Sequence, residues 1–428
     1  MLARVCLVLA LLVSARAWPQ SSDEMTVSPV VSGIAYPGEV GSETRSNYLS
    51  GGVGFSGGYI HNVYAGSGSS LVNDTTFIVA PSISYDQTTT RFHEAVSYSP
   101  SFTFYQPTGS LNSSNQSAAL DFQYRLSPHV SFRAADSLTR ASNAFAQTSA
   151  TAVSGTTQTI TPGIVAPYLE QLTNTSSGEA SWQFSRGGMI GATGNATELH
   201  FPRLAAGSGL SDASTEGGGA FYNHRLDGGK YLGANYEYSR TTETQLGIPA
   251  VVQTDYIMPF LTVYLTPTFT FSISGGSQYY SISSFGTSLM HAWQPAGNGS
   301  VAWQGLHTSF AASYNRTITA GAGLAGAFQS SSANADFRWQ MARTWTGGAS
   351  GNYGMNKNAD TLPGTAAGGH TIRGTASLEH SLNNQAGLSF LYSRIHQSYP
   401  GVTAISADPD TDQILISLSY RFSRPVGQ

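Results

Sequence analysis

Between Ile414 and Phe422 the chain alternates: Ile414, Ile416, Leu418, Tyr420 and Phe422 share one parity, while Leu415, Ser417, Ser419 and Arg421 share the other. Successive side chains of an extended chain point to opposite faces, so this spacing builds one apolar face and one that suits water. A helical period would scramble the two sets, and the segment therefore reads as a strand. The same division recurs at Leu120, Phe122, Tyr124 and Leu126 against Asp121, Gln123 and Arg125. It recurs again at Ala335, Phe337, Trp339 and Met341 against Asp336, Arg338 and Gln340. Further apolar rows run through Phe77, Val79, Ile83 and Tyr85, through Val96, Tyr98, Phe102 and Phe104, and through Leu388, Phe390 and Tyr392.

Such rows fit either the core of a sandwich or the wall of a barrel in hydrocarbon, and the opposite face decides between them. It carries Asp121, Arg125, Arg133, Glu237, Asp336, Arg338, Arg373, Glu379 and Arg421. Burying so many charges in a dry core is strongly unfavourable unless each is paired. These nine residues are therefore expected to face an aqueous lumen. Composition agrees, because only 10% of residues are charged, where about a quarter is usual for a soluble domain. After Val13 no apolar run approaches the roughly twenty residues of a spanning helix. In lipid every backbone polar group must be paired internally, so a membrane form of this chain has to be a closed barrel.

Short turn-forming connections at Ser127-Pro128, Arg186-Gly187-Gly188, Asp227-Gly228-Gly229, Thr266-Pro267, Arg343-Thr344 and Asn383-Asn384 alternate with longer polar stretches. Those stretches lie near residues 106–114, 140–177, 196–212, 242–250, 282–299, 357–369 and 397–410. A barrel with short periplasmic turns, long extracellular loops and both termini on the periplasmic side has this pattern. The expected fold is all-β, a closed antiparallel transmembrane β-barrel of about eighteen strands, with sixteen the next choice. Residues 187–210 are the hardest to segment, and a short helix is expected over 167–172.

The expected organisation is a signal peptide over 1–17, a periplasmic extension over 18–48, the barrel over 49–422 and a tail over 423–428. The signal peptide follows from Arg4, the apolar run Val5 to Val13 and the small-residue site Ala15-Arg16-Ala17. Cys6 falls inside it, so no disulfide or thiol chemistry is expected of the remainder. The full chain has a net charge of −4. Losing Arg4 and Arg16 makes the remainder more acidic still, which argues against a nucleic-acid partner.

The closing Tyr420-Arg421-Phe422 on an alternating strand resembles the C-terminal signature that outer-membrane proteins of Gram-negative bacteria present to the barrel assembly machinery. The chain resembles porin-like barrels of that membrane, nearest in style to uncharacterised ones from environmental bacteria. The resemblance implies Tyr420 and Phe422 as the assembly signal, with outer-membrane lipid and the assembly machinery as partners and further copies of the chain as one option. It also implies that a long early loop, here 140–177, folds into the lumen.

The letter motifs have ordinary readings. Gly321 to Gly326 matches a dinucleotide fingerprint, but no helix follows to hold a pyrophosphate, and the segment reads as strand. Gly54-Phe55-Ser56-Gly57-Gly58 matches a nucleophile elbow, yet strand continues into Tyr59 and Ile60. Asp408, Asp410 and Asp412 lack the glycine and closing glutamate of a calcium loop. The histidines show no metal spacing. Trp182, Tyr256, Trp303, Trp339, Trp345 and Tyr420 fit aromatic girdles at the lipid interfaces.

No catalytic set has a defensible spacing, so neither an enzyme nor a cofactor is expected, and an outer-membrane hydrolase is the least favoured reading. The expected function is an outer-membrane channel for passive or facilitated diffusion of small polar solutes. The alternative is a structural or polysaccharide-export-associated barrel with a plugged lumen.

Overall fold

The computed structural model describes residues 46–64, 71–142, 144–146, 151–154, 157–160, 169–203, 208, 210–245, 248–284, 287–320, 323–324, 326–359, 368–400, 402 and 410–426. The expected signal peptide, most of the N-terminal extension, Asp408 and the first two positions of the expected helix over 167–172 lie outside these residues.

Nineteen strand segments form one antiparallel sheet. The first nine are β1 (Ser46–His61), β2 (Asp74–Thr88), β3 (Phe92–Tyr98), β4 (Ser101–Gln106), β5 (Ser113–Ser127), β6 (Val130–Ala141), β9 (Gln171–Gln183), β10 (Gly188–His200) and β11 (Asp212–Asp227). The segments β7 (Thr151–Ser154) and β8 (Thr157–Ile160) form a separate hairpin inside the β6–β9 connection. The sheet continues through β12 (Lys230–Gln245), β13 (Ile248–Thr266), β14 (Phe269–Ser284), β15 (Thr287–Gln304), β16 (Thr308–Ala320) and β17 (Ala327–Ala342). It ends with β18 (Trp345–Asn358), β19 (Gly369–Ser381), β20 (Ala386–Ser398) and β21 (Asp410–Pro425).

β3 and β4 are two halves of one stave: both pair with β2 and β5 in an unbroken register, and only Pro100, which has no N–H, interrupts the ladder. That leaves eighteen staves. β21 pairs with β1 from Tyr48↔Pro425 to His61↔Asp412, which closes the barrel and removes its edges. Strand pairing thus begins at Ser46 and runs to Pro425, a few residues beyond the expected span at each end.

The period-two rows are the outer wall. Phe77, Ile83, Phe102, Phe104, Leu120, Phe132, Phe337, Met341, Ile414, Ile416, Leu418 and Phe422 are all exposed, which is tolerable only against hydrocarbon. Trp182, Trp303 and Trp339 are exposed on the same face close to the short turns, and Trp182 meets Phe184 edge-on at 6.1 Å. This is an outer-membrane barrel, with an even stave count and all its longer connections gathered at one end. The turns are held by local chemistry: the Asn383 side chain accepts from the Gln385 and Ala386 amides at 2.7 Å, and Asp227 accepts from Gly228 at 2.7 Å.

Several expectations need correction. Residues 242–250 and 282–299 are mostly strand, because the hairpins β12–β13 and β14–β15 stay paired up to Gln245↔Ile248 and Ser284↔Thr287. Their Ser and Thr residues lower the apolar signal without breaking the ladder. The described residues of the stretch 321–326, Gly323, Leu324 and Gly326, lie between β16 and β17 and outside both strands, with Gly323 and Gly326 at positive φ. The hardest segment to read, 187–210, contains the regular strand β10. Gln171 and Leu172 belong to β9, so the expected helix does not extend there. Tyr256 points inward and is 7% exposed, while its neighbour Ile257 takes the lipid face.

One departure from a regular wall matters for the lumen. β15 and β16 pair from Gln304↔Ser309 to Gly297↔Arg316 and no further, although both strands continue. Above that point Ile318 and Ala320 of β16, Ala327 of β17 and Ala359 after β18 all have outward parity. They pack against Val252, Tyr280, Ile282, Met290 and Ala292, which are inward residues of β13, β14 and β15. The wall therefore overlaps itself: the ends of β16, β17 and β18 fold inside β13 to β15, forming a local two-layer sheet. Each large side chain buried between the layers contributes about 1.5–3 kcal/mol.

Candidate functional site

All nine charged residues expected at the lumen lie on the strand faces opposite the exposed apolar rows. The barrel gathers most of them into two recesses. The first, of about 400 Å³, lies between β2, β3, β5, β6 and β9 and is lined by Asp86, Asp121, Arg133 and Glu179 with Ser84, Ser97 and Ser177. Arg133 donates from Nη2 to Asp121 Oδ2 at 2.6 Å and from Nε at 3.2 Å. Register sets Arg133 directly across from Glu179 on its other side. One guanidinium thus stands between two carboxylates on adjacent strands.

The second recess, of about 410 Å³, lies on β16 to β19 and holds Asp336, Arg338 and Glu379 with Ser309, Thr346 and Ser377. The strand order places it on the far side of the barrel from the first. Asp336, Glu379 and Arg421 are exposed on the inner wall, as is Arg133 opposite them. Arg125 lies near the short-turn end of β5, next to the first recess. Glu237 stands apart on β12, where it accepts a hydrogen bond from the Tyr256 hydroxyl and one from Asn195 Nδ2 at 3.4 Å.

Arg373 has a different task. Its Nη2 donates to the Ala144 carbonyl at 3.0 Å, although Ala144 follows β6 and Arg373 sits on β19, seven staves away around the wall. The segment after β6 therefore reaches into the lumen and is held there by the opposite wall. A second crossing lies at the long-loop end, where Leu210 and Leu324 form a bridge and the Ser211 amide donates to the Gly323 carbonyl at 2.9 Å. Around it Leu199, Phe201, Phe328, Tyr399 and Val402 form one buried apolar cluster drawn from β10, β17 and the chain after β20.

Polar groups lock this closure. Glu243 of β12, 1% exposed, accepts from the Gly326 amide at 2.8 Å. The Tyr399 hydroxyl accepts from Asn356 Nδ2 at 3.2 Å and from Thr371 Oγ1 at 3.4 Å, and burial pushes this phenol up from its ordinary pKa.

Four inward acids escaped the reading from sequence: Asp74, Asp86, Glu179 and Glu243. The signal was present for two of them, because counting by twos from Tyr85 and Trp182 on the outer face puts Asp86 and Glu179 inside. Outward charges were also missed. Arg394 pairs with Asp410 at 2.5 Å on the outer face near the long-loop rim. Ser56 of the elbow-like motif meets Ser417 at 2.7 Å across two paired strands. Among the described residues no group of three or more His, Cys, Asp or Glu side chains is placed to hold a metal ion.

No family model matches the chain, and no curated protein sequence matches it. Solved structures similar to it include OccK2 (OpdF) of Pseudomonas aeruginosa, at 10% identity over 88% of this chain and 98% of that one, with a TM-score of 0.43. OccAB2 of Acinetobacter baumannii is similar at 11% identity over 88% and 98%, with a TM-score of 0.42. The FrpB iron transporter of Neisseria meningitidis (F3-3 variant) is similar at 11% identity over 89% and 82%, with a TM-score of 0.46.

Proposed function

We propose that this barrel is a diffusion channel for small polar solutes across an outer membrane, narrowed at its long-loop end by its own segments. The observation that carries the reading is the pair of charged recesses set on opposite inner walls. A barrel of eighteen staves is wide enough for an aqueous lumen, and a solute passing along it meets carboxylates and guanidinium groups on both sides. Acids outnumber bases in both recesses, with Asp86, Asp121 and Glu179 around Arg133 and Asp336 and Glu379 around Arg338. A modest preference for cations follows.

The purified protein in planar bilayers should pass discrete currents whose reversal potential in a salt gradient favours cations. Asp336→Asn combined with Glu379→Gln should weaken that preference. A second reading, a structural or export-associated barrel plugged at rest, is favoured by the hold of Arg373 on Ala144. It predicts silence in the unmodified protein and current in Arg373→Ala. No current from either protein would contradict the channel reading.

A further inference from the structure

The parting of β15 from β16 has a local cause. Continuing their register past Gly297↔Arg316 would set Pro295 opposite Ile318. Ile318 turns both its backbone groups to that side, because the Gln278 carboxamide holds both: its Nε2 donates to the Ile318 carbonyl at 3.0 Å and its Oε1 accepts from the Ile318 amide at 2.7 Å. Proline has no N–H to offer that carbonyl. Gln278, 2% exposed on β14, supplies in one side chain the donor and the acceptor that a neighbouring strand would supply. Between Thr287 and Ala296, β15 pairs with β14 alone.

We propose that the ends of β16, β17 and β18 form a gate with two seats. In the tucked seat, seen here, Gln278 holds Ile318 and the long-loop end of the lumen is filled. In the zipped seat β16 rises into the wall and pairs with β15, with Ala296 facing Thr317, Gln294 facing Thr319 and Trp293 facing Ala320, and the outer lumen opens. This gate rests on the channel reading, whose regulation it supplies.

The surroundings of the two seats make the exchange physically reasonable. Ile318, Ala320, Ala327 and Ala359 have outward parity, so zipping moves them from the interlayer to the outer wall, where Ala320 comes level with the exposed Trp293. Zipping also gains ladder bonds along the unpaired side of β15. Two features hold the gate tucked at rest: Pro295 withholds one of those bonds, and opening leaves Tyr280, Ile282 and Val252 facing the lumen. The layers meet largely through alanines on the moving side, which lets them slide without interlocking large side chains.

The test uses the full protein in bilayers. Gln278→Ala removes the hold on Ile318, and Pro295→Ala restores the missing donor. Each should raise the ratio of open to closed time roughly tenfold, the shift produced by one or two ordinary net hydrogen bonds. Cysteines at Gln294 and Thr319, in a chain without Cys6, would face each other only in the zipped seat. Under mild oxidant they should cross-link, as read by mass spectrometry, and hold the channel open until reduced. Failure of the cross-link to form, or a formed cross-link that leaves the current of a conducting channel unchanged, would overturn the gate. A cross-link that forms in a barrel that never conducts would leave the moving strands in place and refute the channel reading instead.

Discussion

Asp336 and Phe328 lie on one strand, on one face, eight residues apart, and live in different worlds. Asp336, toward the short turns, is exposed on the inner wall in a recess with Arg338 and Glu379. Phe328, toward the long loops, is 0% exposed within a cluster drawn from three parts of the barrel. Strand parity says which way a side chain points, and both point inward. What fills the enclosed space at each depth is a tertiary matter, decided here by segments that fold in from the rim.

If the two depths differ as described, substitutions should separate them. The largest effect is expected for Phe328→Ala, which empties the centre of the outer cluster and should cost about 3–5 kcal/mol of local stability. Limited proteolysis of the long-loop end should then become faster, while Asp336→Ala leaves it unchanged. Equal protease resistance in Phe328→Ala and the unmodified protein would remove the distinction.

The next effect sharpens inside against outside at a single depth. Ile416→Lys puts a charge into hydrocarbon and should destabilise the barrel by about 2–4 kcal/mol in denaturant unfolding from lipid vesicles. Ser417→Lys, one residue on, faces the lumen and should cost far less. A reversed order would mean that the two faces have been exchanged.

The smallest effect belongs to the first recess. The Arg133–Asp121 pair is partly exposed, and such pairs contribute about 0–1 kcal/mol. Arg133→Ala should therefore leave stability nearly unchanged, yet shift the reversal potential further toward cations, because Asp121 and Glu179 lose the cation between them. A loss of stability without a change in selectivity would make the pair a structural brace.

Much of this architecture was legible in the residues. The rows through Phe77, Leu120, Phe337 and Ile416 identified the outer wall, and the turn chemistry at Asp227 and Asn383 located hairpin ends, because both signals are local. The hairpin end from Thr241 to Gln253 was harder, since Thr, Glu and Gln next to Gly247 and Pro249 break the apolar alternation and read as loop. The overlap of β16 with β13 to β15 was not legible at all. It depends on Pro295 meeting Ile318 across a ladder and on Gln278 reaching over from a third strand, a coincidence of three positions that no local pattern carries. Tyr256 shows the same limit, for an aromatic residue near a strand end suits a girdle until its partner, Glu237, is seen beside it.

The most direct measurement of the central claim is thiol accessibility along β17 in intact outer membranes. Cysteines placed singly at Asp336 and Phe328 would be exposed to a membrane-impermeant, water-soluble thiol reagent. The account predicts fast labelling at position 336, and at position 328 slow labelling that speeds up when Pro295→Ala is added. Equally fast labelling at both positions in the unmodified background would show an open pore of uniform depth and contradict it.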